Sequence, residues 1–225
     1  MVKTTPIAKK TNRAAPSARP SSAAQRKKRT GSVSASAAKK AAVAKAKVVA
    51  PTVTARIGST PATKFRGNPE VFGRLVEDHD RHRALLAMLS QTVAKSAERD
   101  ALFKELALEL KSHAAAEEQA LWSSVMRNPK TTDDARHAVS EHKEIDDMLA
   151  DLAARDMASP AWMRRFSALR EEYLHHIAEE EQEQFVSAEK ELSDADLRYM
   201  KQVFNRRKKE EKANATIDKK IKLQN

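Results

Sequence analysis

Displacing the chain against itself by 63 residues aligns two stretches of the same character. Val76 meets Val139, His79 meets His142, Leu86 meets Leu149 and Leu89 meets Leu152. Further on, Phe103 meets Phe166, Leu106 meets Leu169, Glu109 meets Glu172, His113 meets His176, Glu117 meets Glu180 and Glu118 meets Glu181. Apolar residues in both copies recur at spacings of three and four with no strand-like alternation, so each copy reads as a pair of helices. Two helix pairs that bury their apolar stripes on one another make an all-α, up-down four-helix bundle.

The helices can be placed from their stripes and their ends. The first, about 70–95, carries Phe72, Leu75, His79, His82, Leu86, Leu89 and Val93; the second, about 98–126, carries Phe103, Leu106, Leu110, His113, Glu117 and Ala120. Asn128-Pro129 breaks the second helix, and Thr131 or Thr132 ahead of Asp133 and Asp134 is expected to cap a third with Ala135, Ala138, His142, Ile145, Leu149 and Leu152 inward. Ser159-Pro160 is an N-cap followed by proline in the first turn and starts a fourth with Trp162, Phe166, Leu169, Tyr173, His176 and Glu180 inward. A short fifth helix begins near Ser193, with Asp196 three residues on, and shows Leu197, Met200 and Phe204. The expected organisation is a basic tail over 1–69, the bundle over 70–192, and a short helix with a basic C-terminal tail over 193–225.

The repeat sorts the histidines. His82 falls on Ile145, His137 on Arg74 and His175 on Ser112, whereas His79, His113, His142 and His176 pair with one another and sit on inward stripes where Leu or Ile is the default. His113 with Glu117, and His176 with Glu180, are four apart on a helix and therefore share a face. Two ionised glutamates turned into an apolar core cost several kcal/mol each unless paired or bound to a cation, and no Lys or Arg occupies the stripes at that level. A cation answers the imbalance. The 225-residue chain has no cysteine, so thiolate sites and disulfides are excluded and only nitrogen and oxygen donors remain. Four imidazoles and two carboxylates suit iron better than magnesium or calcium, and bundle cores house two-metal carboxylate sites. If both glutamates bridge two ions, each ion receives two His and two carboxylate oxygens, which leaves room for a bridging oxygen and one external ligand. A single iron or zinc is the alternative.

The segments "EDHDRHRALL", "LKSHAAAEEQALW", "SEHKEIDDML" and "YLHHIAEEEQEQF" resemble the four helices of the hemerythrin-like HHE cation-binding domain family over roughly residues 70–190. The resemblance implies a non-haem di-iron centre held by His79, His113, Glu117, His142, His176 and Glu180, the residues that stripe and repeat also single out. Oxygen-carrying members have a second histidine four residues before the third-helix ligand; here that position is Ala138, while His137 points about 100° away. This departure shifts the expectation from reversible oxygen carriage to iron handling or to sensing of oxygen, peroxide or redox state. A binding or sensing module is expected rather than a turnover enzyme. The competing reading is a di-iron oxidase or peroxidase, for which no general acid–base pair can be read from the sequence.

Around the six, His82 is open to three roles: ligand, outer partner or core histidine, the last favoured by Ile at its repeat position. Tyr173 could donate a hydrogen bond near the site, although its repeat partner Leu110 speaks for core filling. Asp78, Glu141, Glu118 and Glu181 adjoin the candidate ligands; Glu118 and Glu181 are candidate outer partners, but a solvated face is the expectation for most of the four. His137 and His175 are expected on the surface.

Charge is divided along the chain. Residues 1–69 hold 16 Lys and Arg and no acid, residues 70–200 hold 17 basic against 28 acidic side chains, and residues 201–225 hold 9 against 3. The first segment, rich in Ala, Lys, Pro and Ser without apolar periodicity, is expected to be disordered. It suits nonspecific neutralisation of nucleic-acid phosphates, an organelle-targeting segment, or a tail that meets the acidic bundle. Aromatic residues for base stacking are lacking in it apart from Phe65, which speaks against sequence-specific reading. No apolar run approaches the ~20 residues that span a bilayer, and a cytoplasmic protein is expected.

Overall fold

The computed structural model describes residue 40, residues 69–94 and residues 96–217. The expectations for the basic tail over 1–69 fall almost entirely outside the described residues, as do those for the last eight positions.

Five long helical elements make up the described chain, with no strand among the described residues. Helix α1 is Val71–Ser90, α2 is Ala97–Glu117, α3 is Thr132–Ala153, α4 is Pro160–Glu179 and α5 is Asp194–Asn214. Both α2 and α4 run on through a π-helical turn, Glu118–Trp122 and Glu180–Gln184, into a last α-helical stretch, Ser123–Val125 and Phe185–Glu189. One residue too many per turn is a device that helices use to re-aim side chains, often at functional sites. Here it follows the first H-x-x-x-E pair and begins on the glutamate of the second. No sequence pattern marked these turns, since only the backbone count changes.

Apolar side chains gather at two levels. One cluster joins Leu85, Leu86 and Leu89 of α1 to Phe103, Leu106 and Leu110 of α2, Leu149 and Leu152 of α3, and Trp162, Phe166 and Tyr173 of α4. The other joins Val71, Phe72, Leu75 and Val76 to Ala116 and Trp122, Ala135 and Ala138, Phe185, and Leu197, Met200 and Phe204 of α5. The order in which each helix meets the two clusters reverses from one helix to the next, which is the up-down topology. His79, His113, His142 and His176 lie on the turns between the clusters, so a polar layer is held between two dry ones.

The helix ends follow the sequence in part. Ser159 accepts a hydrogen bond from the Trp162 amide ahead of Pro160, and Ser193 with Asp196 forms a reciprocal capping box. Thr131 makes no cap: its buried hydroxyl donates to the Val125 carbonyl at 2.7 Å, tying the loop to the end of α2, and Thr132 donates to the Asn128 carbonyl at 2.8 Å. Val93, expected inward, is exposed because α1 stops at Ser90. Helix α5 is 21 residues long, well beyond its apolar stretch, and lies against α1 and α2. Its second half docks by charge: Lys208 is buried against Asp78 and Glu109, and Lys212 reaches Glu105 and Glu109. No membrane-spanning helix, judged by length and apolarity, occurs among the described residues.

Candidate metal centre

The four repeat-paired histidines point their Nε2 atoms into the polar layer, and Glu117 and Glu180 rise between them. His113 Nε2 lies 3.3 Å from Glu117 Oε2, and His142 Nε2 lies 3.6 Å from the same oxygen. Glu180 Oε2 lies 3.4 Å from His79 Nε2, while its Oε1 lies 3.5 Å from His176 Nε2 and 3.9 Å from His142 Nε2. His79 and His113 bring their Nε2 atoms within 3.2 Å of each other. Each carboxylate thus touches histidines of both halves. Two donors each about 2.1 Å from one ion and separated by 90–110° stand roughly 3.0–3.4 Å apart, so the spacing is that of a coordination sphere.

Every one of the four rings is fixed from behind by a carboxylate on another helix. His79 Nδ1 donates to Glu181 at 2.9 Å, His113 Nδ1 to Asp78 at 3.2 Å, His142 Nδ1 to Glu118 at 3.0 Å, and His176 Nδ1 to Glu141 at 2.9 Å. A carboxylate on Nδ1 selects the tautomer that leaves the Nε2 lone pair facing inward and raises its basicity. The repeat governs this layer too: Asp78 corresponds to Glu141 and Glu118 to Glu181. The expectation of a solvated face is therefore corrected. Asp78, Glu141 and Glu181 are buried, and Glu118 is the one partly exposed member. The signal that could have found them was their pairing under the 63-residue displacement; their charged side chains beside a charge run concealed it.

The electrostatics show a site with too much negative charge for its surroundings. Burial drives Glu180 well above the usual carboxylate range, and the charge of Glu117 adds to it. Burial acts on Glu117 as well, but the neighbouring His113, 3.3 Å away, holds it low. Burial likewise opposes protonation of His113, yet Asp78 and Glu117 together raise it, whereas burial lowers His79 and brings His176 down to about 4. Both oxygens of Glu117, both oxygens of Glu180 and Nε2 of His142 are buried without a hydrogen-bond partner. Groups so placed need a cation or a proton between them. Six nitrogen and oxygen donors around orphaned carboxylates fit a transition-metal ion and fit magnesium poorly.

The remaining candidates stand further out. His82 is fully buried one turn beyond His79; its Nδ1 shares a 2.5 Å hydrogen bond with the Tyr173 hydroxyl, and its ring packs edge-on against His113. Burial, helped by the charges of His113 and Lys208, lowers its pKa strongly, so it is a neutral ring wedged behind the site. Tyr173 belongs to the apolar cluster and serves His82 rather than a candidate ligand. His137 and His175 lie on the surface, as the sequence indicates. Lys208 was missed in the sequence. It sits 2.5 Å from Asp78 and, with Arg74, holds that carboxylate well below its usual range although burial pushes it up. Between α2 and α3 a groove of about 370 Å³, lined by Leu110, Ala114, Val139 and Lys143 among others, reaches Glu118 and His142.

Comparison with known proteins agrees with this reading of the fold. Residues 71–186 match the model of the hemerythrin HHE cation-binding domain. The fold is similar to the crystal structure of a hemerythrin HHE cation-binding domain-containing protein from Mycobacterium kansasii, with a TM-score of 0.58, 23% identity, and coverage of 64% of this chain and 88% of that one. No curated protein matches the chain.

Proposed function

Taking as premise that the chain belongs to the hemerythrin HHE cation-binding domain family, we propose that it binds a non-haem di-iron pair on His79, His113, Glu117, His142, His176 and Glu180 and serves in iron handling or in sensing oxygen or redox state. The observation that carries the proposal is the pair of buried carboxylates with no hydrogen-bond partner, each set between histidines of both halves. The four histidines with Glu117 and Glu180 would hold the ions. When bound, such a pair supplies a reversible change of oxidation state and an open position for a small ligand such as dioxygen or peroxide.

The protein's own residues do the rest. Asp78, Glu118, Glu141 and Glu181 orient the four imidazoles and keep the lone pairs inward, so ligand geometry is set before an ion arrives. Phe185, stacked near His79 at 6.0 Å, and Phe204, edge-on to His113 at 5.5 Å, exclude water from that side. The groove between α2 and α3 gives a small ligand its approach, at the His142 side. Titration of the full chain with ferrous iron, under argon and then under air, tests the proposal. Two irons per chain and an oxygen-dependent change in absorption are expected, and Glu180→Gln should lower the iron bound at least tenfold. Retention of less than one iron by the unaltered protein would sink it.

A further inference from the structure

Two more H-x-x-x-E pairs lie outside the buried layer. His137 and Glu141 are four apart on α3, and His175 and Glu179 are four apart on α4. The bundle sets them side by side. His137 Nε2 lies 3.4 Å from Glu141 Oε1 and 3.5 Å from Glu179 Oε1, and His175 Nε2 lies 3.6 Å from Glu179 Oε2. One donor atom each from His137, Glu141 and Glu179 fall within 4.8 Å of one another. These spacings match those of the buried histidines and glutamates, but His137 and His175 side chains are 50% and 72% exposed.

The repeat shows what is peculiar about this corner. At the position of His137 the first half has Arg74, whose Nη1 lies 2.7 Å from Asp78, the counterpart of Glu141. Asp78 also receives Lys208. In the second half, among the described residues, Glu141 and Glu179 pair only with histidines and with no Lys or Arg. A fixed guanidinium in one half is thus replaced by an imidazole in the other, and at the positions of Ser112 and Ala116 in the first half the second half has His175 and Glu179. The exchange removes permanent positive charge and adds three donor groups around the same carboxylate.

We infer that His137, Glu141 and Glu179 form a second, outer site for one divalent transition-metal ion, with His175 adjoining it through the other oxygen of Glu179. An imidazole and two carboxylates, with His175 beside Glu179 as a further nitrogen donor, suit zinc or cobalt(II), with water completing the sphere on the exposed side. The ion takes Oε1 of Glu141, whose Oε2 accepts from His176 Nδ1 at 2.9 Å. The outer ion is therefore one carboxylate away from the buried layer, and its charge weakens the hold of Glu141 on His176. Loading of the outer site and the donor strength of His176 are coupled through that shared group.

The buried pair of ions rests on the proposed function, and the outer site does not. Cobalt(II) is titrated into the full metal-free chain, with bound metal counted by elemental analysis and coordination followed by visible absorption. Three ions per chain are expected. His137→Ala with His175→Ala should remove one of them and leave two, and Glu179→Gln should weaken the same one; the exposed positions make misfolding of these variants a matter that circular dichroism checks. His113→Ala with His176→Ala should do the reverse, sparing the outer ion. Equal stoichiometry and affinity in the unaltered protein and the His137/His175 double variant overturn the outer site. If the outer ion is bound and lost as described while His113→Ala with His176→Ala changes nothing, the buried di-iron reading fails and the outer site stands.

Discussion

The first hairpin, α1 with α2, and the second, α3 with α4, present the same inward residues in the same order, but they neutralise the carboxylates behind them by different means. Asp78 lies between Arg74 and Lys208, and Lys208 also holds Glu109, all under the cover of α5. Glu141 faces His137 at a half-open surface. The inner layer carries the same residue types in both halves, whereas the layer behind it differs in the positive partner that it meets. Asp78 is therefore held by permanent charge and Glu141 by histidines.

The sharpest break of this comparison removes the lysine. Lys208→Met leaves Asp78 and Glu109 buried without their principal cation, a change that costs about 3–5 kcal/mol, while His137→Ala at the corresponding edge of the other half costs less than about 1 kcal/mol. Urea unfolding of the two variants measures the gap, and similar losses would show that α5 does not distinguish the halves.

Acid should reach the same lysine network. Burial pushes Glu109 up, but Lys208, Lys212 and Arg81 overcome it and bring its pKa from the ordinary 4.5 to about 2. A depressed folded-state pKa means that the stabilisation is complete above pH 4.5 and is lost as pH falls toward 2. The loss amounts to about 3 kcal/mol. Glu109→Gln should flatten the stability profile over that window, and an unchanged slope would count against the network.

Weaker, and directed at the candidate ligands, is the exchange of the carboxylates behind them. Asp78→Asn and Glu141→Gln should each reduce metal affinity 10- to 100-fold, because His113 and His176 lose the partner that orients them. Asp78→Asn should in addition lower the stability of the metal-free chain, since Lys208 is left beside an amide; Glu141→Gln should not. Metal titration and thermal melting together separate the two effects. Smallest is Tyr173→Phe, which leaves His82 buried without its partner at a cost of about 1–3 kcal/mol. Adding His82→Ile, the residue found at the equivalent position 145, should recover part of that loss in calorimetry.

Much of the bundle was legible because its core obeys helical periodicity and its ends carry recognisable caps. The six inward donors were legible for a related reason: a histidine or glutamate on a stripe otherwise filled by Leu and Phe is conspicuous. What escaped depends on relations between helices. Asp78 and Glu141 resemble any charged residues flanking a stripe until the neighbouring helix brings a histidine to them. The length of α5 was hidden because Lys208 and Lys212 dock it through ion pairs, which leave no apolar period to read. Thr131 looked like a cap and instead ties a loop, since its hydroxyl found the Val125 carbonyl first. The basic segment before residue 69 offers composition alone, and composition names charge without naming a partner.

The contact between Lys208 and Asp78 also spans most of the folded chain, closing a separation of 130 positions. As a ribosome makes this protein, α1 and α2 emerge long before the lysine that neutralises their buried acids. The earliest hairpin thus waits for the latest helix before Asp78 meets Lys208. Contacts so distant in sequence are slow to form. Capture of metal and arrival of α5 then become two events in time, and a nascent chain halted before residue 208 is the state in which they come apart.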